Sequence, residues 1–473
     1  MLGSWSTAAL VLYLGVLSIL SLNGVHRLWL LWSYRRRRQV IPRADIVHWP
    51  VVTVQLPVFN ERYVVDRLIR ACAQLDYPHG LLEIQVLDDS TDDTTAMARA
   101  VVEELAAAGV DVHLIHRHDR AGFKAGALEA GMAVARGELI AVFDADFMPP
   151  AGFLRDTVPH MVDGVGMVQA RWGHLNQGAS WLTAAQATLL DGHFVVEHTA
   201  RWASGRWFNF NGTAGVWRRQ AIEDGGGWQH DTLTEDLDLS YRCQLAGWRF
   251  VYLVDVVAPA ELPSTMAAFR AQQHRWAKGS IQTGKKLLRR IWAAPVPVPI
   301  KVEATAHLTA NLSYPLLLLL SLLLPWAVAA RIGGAASSLL AIDLVLFTAA
   351  MVPFVAYYSV AVLGSGSGNT ARRLLMLPVA LALGLGLAVS QTRAVAEGLF
   401  GPVGVFVRTP KAGGTTTPTY RATLPGARGL EVGMAGYLLV ACVAVGASGY
   451  LASLPFLGLF TLGYGLVAVE SAR

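Results

Sequence analysis

The sequence predicts an α/β domain with a Rossmann-like, mostly parallel sheet, inserted in an α-helical transmembrane bundle. Strand–helix alternation fills residues 50–175 and implies a mostly parallel sheet covered on both faces. Apolar runs long enough to cross a bilayer lie on both sides of that stretch. The composition follows the same division. Hydrophobic residues make up 53% of the 473 and charged residues only 15%, too apolar a balance for a soluble enzyme of this size. Residues 40–300 hold most of the acids and histidines, whereas the flanks are rich in Leu, Ala, Gly and Val.

The first apolar run, residues 7–32, is long enough to span a membrane. A cleaved signal peptide is the competing reading. No basic residue precedes the run, no small-residue cleavage site follows it, and a four-arginine stop (Arg35, Arg36, Arg37, Arg38) does. The helix is therefore expected to be retained, with its C-terminal end and the following domain in the cytosol. The net charge of +5 does not point to nucleic acid, because the basic residues gather beside apolar spans. Lys285, Lys286, Arg289 and Arg290 repeat the pattern of the first arginines. Cys72, Cys243 and Cys442 are too few and too scattered for a disulfide framework or a zinc site, and a reducing compartment fits.

Within the alternation, VVTVQLPVF (51–59), EIQVLDD (83–89), VDVHLIHR (110–117), LIAVFDAD (139–146) and GMVQARWG (166–173) read as strands. The intervening VVDRLIRACAQL (64–75), TTAMARAVVEELAAAG (94–109) and KAGALEAGMAVA (124–135) read as helices. After residue 264 the chain becomes basic and amphipathic, as helices on a membrane surface are, until Pro295, Pro297 and Pro299 break it. Residues 304–330 and 339–363 read as spans, and 432–449 with 452–469 as a closing hairpin of two short ones. The run 374–390 is short and carries Pro378, Gly384 and Gly386. It is expected not to cross fully, which keeps the polar stretch 404–430 in the cytosol.

Two acidic strand ends carry the first chemical signal. Asp88 and Asp89 end one strand, Asp144 and Asp146 another, and open α/β sheets bind ligands outside the carboxyl ends of their strands. Alternate side chains at a strand end share a face, so Asp144 and Asp146 are read as a pair. Such oxygen ligands suit Mg²⁺ or Mn²⁺ together with substrate phosphates, and a departing diphosphate needs its charge neutralised. A solvated turn also produces Asp-x-Asp, but the apolar LIAVF strand before it and the second acidic strand end favour the metal.

Thr234, Glu235 and Asp236 form the second signal. Thr234 is expected to cap the helix LDLSYRCQLAG, which leaves one acid facing a substrate hydroxyl as its base. Gln272, Arg275 and Trp276 share one face of a helix. Arg and Gln suit phosphate oxygens and an indole stacks on a sugar ring; a snorkelling interface helix is the competing account.

The ordered set PVFNE (57–61), VLDDS (86–90), KAGAL (124–128), FDADF (143–147), TED (234–236) and QQHRW (272–276) resembles the family-2 processive glycosyltransferases of the cellulose-synthase superfamily. VQARW (168–172), FNGTAGVWR (210–218) and ELPST (261–265) are most similar to plant mannan and xyloglucan-backbone synthases of the cellulose-synthase-like type and their bacterial relatives. The resemblance covers residues 50–290, with a weaker tail to 411. It implies a GT-A-type domain in which Asn60, Glu61 and Asp89 hold the base and ribose of a nucleotide-sugar donor, with Asp88 beside them. Lys124 would contact the diphosphate, and Asp144 and Asp146 the metal. Asp236, with Glu235 beside it, would be the general base, and Gln272, Arg275 and Trp276 would bind pyrophosphate and acceptor. FVRTPK (406–411) looks like a gating segment whose Arg408 and Lys411 reach over the donor.

One departure is Phe208-Asn209-Phe210-Asn211-Gly212-Thr213, where bacterial cellulose synthase has a Phe-Phe-Cys-Gly-Ser run. The acceptor site is therefore not simply that of cellulose synthase. On this reading, residues 1–38 are a transmembrane helix and its basic stop, and 39–263 the catalytic domain. Residues 264–300 are interface helices, and 301–473 a transmembrane region with the gating-type loop at 404–430. One base and no enzyme nucleophile imply inversion. The expected activity is hexose transfer from GDP-mannose or UDP-glucose to a growing β-1,4-mannan, glucomannan or glucan at the plasma or inner membrane. The partners implied are the nucleotide-sugar donor, a saccharide or glycolipid acceptor and membrane lipids. A glycolipid synthase adding one sugar is the runner-up. A non-catalytic transporter is the alternative of another class, and it leaves the acidic residues without purpose.

Overall fold

A computed structural model of the chain describes residues 2–36, 40–332, 340–406, 408, 409, 411, 413 and 428–471. Arg37, Arg38, Val407, Pro410 and residues 414–427 of the expected gating loop lie outside the described residues. After helix α1 (Leu2–Arg35) the chain enters the sheet through β1 (Val52–Val58), α2 (Val65–Ala73), β2 (Leu82–Asp88), α3 (Thr94–Ala107) and β3 (Val112–His116). It continues through α4 (Phe123–Val134), β4 (Leu139–Val142), α5 (Phe153–Thr157) and β5 (Val165–His174). These follow the expected alternation to within a few residues.

The sheet has seven strands in the order β3-β2-β1-β4-β6-β5-β7. β1, β2, β3 and β4 are mutually parallel. β5 ends the strand–helix alternation read from the sequence but does not close the sheet. A short strand β6 (Gly215–Arg218) runs antiparallel between β4 and β5, and β7 (Arg249–Ala260) pairs parallel with β5 at the edge. β6 is only four residues long and β7 is interrupted by Asp255, so neither gives a strong periodic signal.

The two faces of β1 show why the sheet is fully covered. Val52, Val54, Leu56 and Val58 are buried together against α2 and α3. On the other face Thr53 and Gln55 are also fully buried and are satisfied laterally, Thr53 donating to Glu83 and Gln55 to Gln85 at 3.1 Å. Gly131 of α4 lies over that polar pair; a Cβ there would sit 2.5 Å from Gln55 Nε2.

Between β5 and β6 lie α6 (Trp181–Asp191), a π-helical turn (Gly192–His198) and α7 (Thr199–Ala203). α8 (Arg219–Asp224) and α9 (Glu235–Leu245) precede β7. The basic amphipathic stretch is one continuous helix, α10 (Met266–Ala293), capped by Thr265, whose hydroxyl accepts from the Ala268 N–H at 3.3 Å. α11 (Val298–Thr309) and α12 (Ser313–Ile332) follow, then α13 (Leu340–Ser365), α14 (Thr370–Leu375), α15 (Leu377–Gly386), α16 (Ala388–Phe400), α17 (Arg428–Ala447) and α18 (Leu454–Glu470).

Among the described residues four helical segments are long and apolar enough to cross a membrane: Ala8–Arg35, Val298–Ala330, Leu344–Ser365 and Arg428–Ala447. The run expected to be weak is a bent pair, α15 and α16 meeting at 46°. α15 packs on α18 through glycines: a Cβ at Gly386 would lie 2.1 Å from the Gly463 carbonyl oxygen. Small residues of this kind let apolar helices approach to backbone contact.

Candidate active site

The site lies outside the carboxyl ends of β1, β2 and β4, where the parallel half of the sheet meets α9 and α10. β4 ends at Val142, so Asp144 and Asp146 belong to the turn after it and not to the pleated strand. That corrects the reason for pairing them. The turn is held by the Phe147 N–H on the Asp144 carbonyl at 3.0 Å and by the Asp144 N–H on the Thr213 hydroxyl at 2.9 Å.

Each of these acids meets a lysine. Lys124 Nζ reaches Asp144 and the Gly212 carbonyl (2.8 Å), and Lys411 Nζ reaches Asp146. Among the described residues no three His, Cys, Asp or Glu side chains group closely enough to hold an ion by themselves. Two carboxylates that each hold a cation are nevertheless donors of the kind that a divalent-cation site completed by substrate phosphates would use. The residues fit the group.

Glu61 and Asp89 line the same cavity, which has a volume of about 150 Å³. Asp89 is gripped by Arg117 at 2.8 and 2.6 Å. Glu61 receives Arg408 Nε at 3.0 Å and a second guanidinium nitrogen at 3.1 Å. Burial pushes the Glu61 carboxyl up to about 8, against the pull of Arg408 and Lys411. The cavity therefore lies under the described part of the segment that carries Arg408 and Lys411.

Two expected ligands do not line it. Asp88 is fully buried, and its oxygens accept from the Ser90 N–H (3.0 Å) and the Thr95 hydroxyl (2.6 Å) and pair with His116 Nδ1 (2.8 Å). It shapes the turn after β2. Asn60, in a left-handed conformation at φ 54°, ties that turn to the β1 loop: its N–H donates to Ser90 Oγ at 2.8 Å and its Oδ1 accepts from the Thr91 N–H at 2.9 Å.

Thr234 stands at the start of α9, but its side chain caps nothing. Its hydroxyl lies 3.3 Å from that of Thr283, and its backbone abuts Gly279, where a Cβ would come 2.5 Å from Thr234 Cγ2. The capping expectation is thus replaced by a packing contact. It presses α10, the helix of Gln272, Arg275 and Trp276, onto the start of α9. All three side chains face the cavity with Glu235 and Asp236.

Asp236 is half-buried beside a second, buried acid, and desolvation, then Glu235, raises its carboxyl to about 7, with Lys124 opposing. Glu235 is raised for the same first reason. Burial also lowers the Arg275 guanidinium from its usual value, although four acids surround it. Gly212, at φ +82°, fits against this group; a Cβ there would stand 3.0 Å from Asp236 Oδ2 and 3.3 Å from Lys124 Nζ. Sequence reasoning missed two contributors. Arg120 stacks 3.3 Å above the Phe59 ring, and Phe406 lies 4.4 Å beneath the Arg275 guanidinium. The FVRTPK motif named Phe406 but gave no sign of its partner.

A second cavity, of about 470 Å³, opens from the first between the apolar helices. Trp172, Asn211, Thr234, Asp236, Gln272 and Trp276 line both. The larger one is walled by α1, α12, α13, α15 and α18, for example by Leu17, Leu320, Phe347 and Phe460. Asp236 thus stands, half-buried, at the junction of a charged pocket and one walled by apolar helices.

Comparison with known proteins relates this arrangement to a family. Residues 50–279 match the family described as glycosyltransferase like family 2, so that stretch of the chain carries a glycosyltransferase family 2 domain. The chain is 46% identical over 256 residues to glucomannan 4-beta-mannosyltransferase 1 of Oryza sativa subsp. japonica, covering 53% of this chain and 49% of that one. It is 43% identical over 250 residues to glucomannan 4-beta-mannosyltransferase 2 of Arabidopsis thaliana, covering 52% and 47%. The chain thus spans about half the length of the curated relatives it matches. A solved mannosyltransferase from Pyrobaculum calidifontis, in complex with GDP-Man and Mn²⁺, aligns over 82% of this chain and 99% of its own with a TM-score of 0.54 and 20% identity. At that identity the likeness shows the fold alone, and the fold is of the GT-A type.

Proposed function

We propose that the chain is a membrane-bound, inverting hexosyltransferase that adds mannosyl units to a growing β-1,4-linked mannan or glucomannan. GDP-mannose is the donor to test first and UDP-glucose the second. One observation carries the reading: Asp236 sits where the cation-lined cavity opens into the cavity of the bundle. The sugar of the relatives' names supports mannose.

In this reading the donor diphosphate lies near Lys124 and Arg275. A divalent cation on Asp144 and Asp146 supplies charge neutralisation to the departing diphosphate when bound. Asp236 removes the proton of the acceptor hydroxyl as its oxygen forms a bond to the anomeric carbon. The bond from that carbon to the donor phosphate breaks, and the electron pair leaves with the nucleoside diphosphate. Arg275, raised in energy by burial, is stabilised as negative charge develops beside it. Inversion turns an α-linked donor into a β-linked product.

The expected four-part division at residues 38, 263 and 300 is kept in this proposal, as are a plasma or inner membrane location and a cytosolic catalytic domain. Arg35 and Arg36, at the end of α1, support that orientation. The apolar wall formed by Leu17, Leu320, Phe347 and Phe460 favours, as a second reading, a lipid-linked acceptor that receives one sugar. Incubating the purified chain with each nucleotide sugar, followed by linkage and length analysis, tests both. A long β-1,4-mannan is the expected product. A single-sugar lipid would replace the first reading by the second, and no transfer to any acceptor would overturn both.

A further inference from the structure

The turn that departs from the bacterial cellulose synthase pattern carries one side chain whose orientation can be deduced atom by atom. His198 is fully buried, and its Nε2 lies 3.1 Å from the Asn209 carbonyl oxygen and 2.7 Å from Asn211 Oδ1. A carbonyl oxygen only accepts, so Nε2 carries the proton. Burial holds this imidazole neutral, well below its ordinary titration range. Asn211 therefore turns its oxygen to His198 and its amide nitrogen to His193 Nε2, at 2.9 Å. That nitrogen must accept, because a protonated one would face N–H with N–H. The remaining proton of His193 is then on Nδ1, which faces Glu197 at 3.5 Å.

The backbone is built to allow this. His193 and His198 are five residues apart, and in an α-helix they would point about 140° from each other. The segment Gly192–His198 is π-helical instead, and the two rings lie 4.2 Å apart with both on Asn211. Such turns are rare and concentrate at functional sites. Gly192 is confined there: a Cβ would meet the Tyr358 ring at 2.6 Å, while the Tyr357 hydroxyl donates to the Gly192 carbonyl. Asn211 is held from the backbone as well, through its N–H on Gln169 Oε1 at 3.0 Å.

The position is informative. Asn211 lines both cavities, and the next residue, Gly212, backs onto Asp236. An acceptor coming from the bundle meets Asn211 as it reaches the base. We propose that Asn211, oriented by His193 and His198, is the acceptor-side specificity residue: its second amide N–H binds an acceptor hydroxyl and selects which hydroxyl is presented to Asp236. The amide is the contact group; the histidines are positioning residues. A site built to pair a substrate hydroxyl discriminates against sugars that lack or misplace it. The inference rests on the transferase reading.

The test uses the full chain in detergent or nanodiscs, with GDP-mannose and β-1,4-manno-oligosaccharides, and follows transfer and donor hydrolysis by water in parallel. Asn211→Ala is expected to lower kcat/KM for the oligosaccharide by about tenfold or more, the order of one lost hydrogen bond. Hydrolysis should stay within about threefold of wild type. His193→Leu should follow it, while His193→Gln, whose side-chain oxygen still accepts from Asn211, should restore most of the transfer. Equal loss of transfer and hydrolysis, no loss of transfer, or failure of His193→Gln to differ from His193→Leu would each overturn the proposal. Absence of donor turnover in the wild-type chain is a separate failure, that of the transferase reading itself.

Discussion

The two cavities that meet at Asp236 are made of different materials. The smaller one is assembled from turns after parallel strands, and four of its acids are each held by a cation: Asp144 by Lys124, Asp146 by Lys411, Glu61 by Arg408, Asp89 by Arg117. The larger one is walled mainly by helices whose packing is apolar, as in the cluster of Tyr13, Leu17, Leu320, Leu324 and Phe347. A pocket of matched ions suits a ligand that brings its own charges, because each phosphate exchanges one ionic partner for another. A pocket of rings and amides suits an uncharged sugar, which offers hydroxyls and apolar faces. Under the proposed function, the contrast puts the donor in the smaller cavity and the acceptor in the larger.

The sharpest way to break that assignment is at the acids of the smaller cavity. Asp146→Asn is expected to reduce turnover by about a thousandfold or more, and excess EDTA to abolish it in the wild type. Full activity in EDTA would remove the metal from the scheme. Asp236→Asn should lower transfer by at least about a hundredfold while calorimetry shows donor binding nearly intact. Loss of donor binding would move Asp236 to the donor side. Since burial lifts Asp236 to about 7, the base is protonated below that pH and ionised above it. Transfer should rise about tenfold per pH unit below neutrality and level off above it; a flat profile from pH 5 to 8 would reassign the base. Trp276→Ala should cut transfer by about tenfold more than donor hydrolysis, and equal losses would make the indole a structural element.

Legibility in the sequence follows the same division. The parallel half of the sheet was readable because β1, β2 and β4 are apolar runs ending in acids, and α2 to α4 alternate with them. β6 and β7 were not readable: one is too short for a period, and the other is interrupted along its length. The acids were found for a sound chemical reason, yet Asp88 shows the limit. Side by side in sequence, Asp88 and Asp89 point to different tasks, and only the positions of Ser90, Thr95 and His116 reveal which one is consumed by the turn. Thr234 has the sequence of a cap and the geometry of a packing contact. The π-helical turn at 192–198 has no periodic signature, so nothing in the sequence ties His193 and His198 to Asn211, although FNFNGT stands out there.

The smallest change in activity, and the one that sharpens the comparison in space, concerns Thr409. Arg408 and Lys411 on either side reach Glu61 and Asp146, and Thr409 itself is buried. The described part of this segment therefore shares a compartment with the smaller cavity, which the proposed orientation puts in the cytosol. The bend between α15 and α16 is consistent with a chain that enters the apolar layer without a straight crossing. Cys72 and Cys243 are buried in the core, where burial raises both thiols above their usual range, so only Cys442 needs replacing before labelling. Thr409→Cys in that background is expected to keep transfer within about twofold, since a buried hydroxyl is exchanged for a thiol of similar size. An impermeant maleimide should leave it unmodified in intact cells and label it slowly in opened membranes, with protection by the donor. Rapid modification in intact cells would place the segment outside. It would also separate Arg408 and Lys411 from any role over a cytosolic nucleotide.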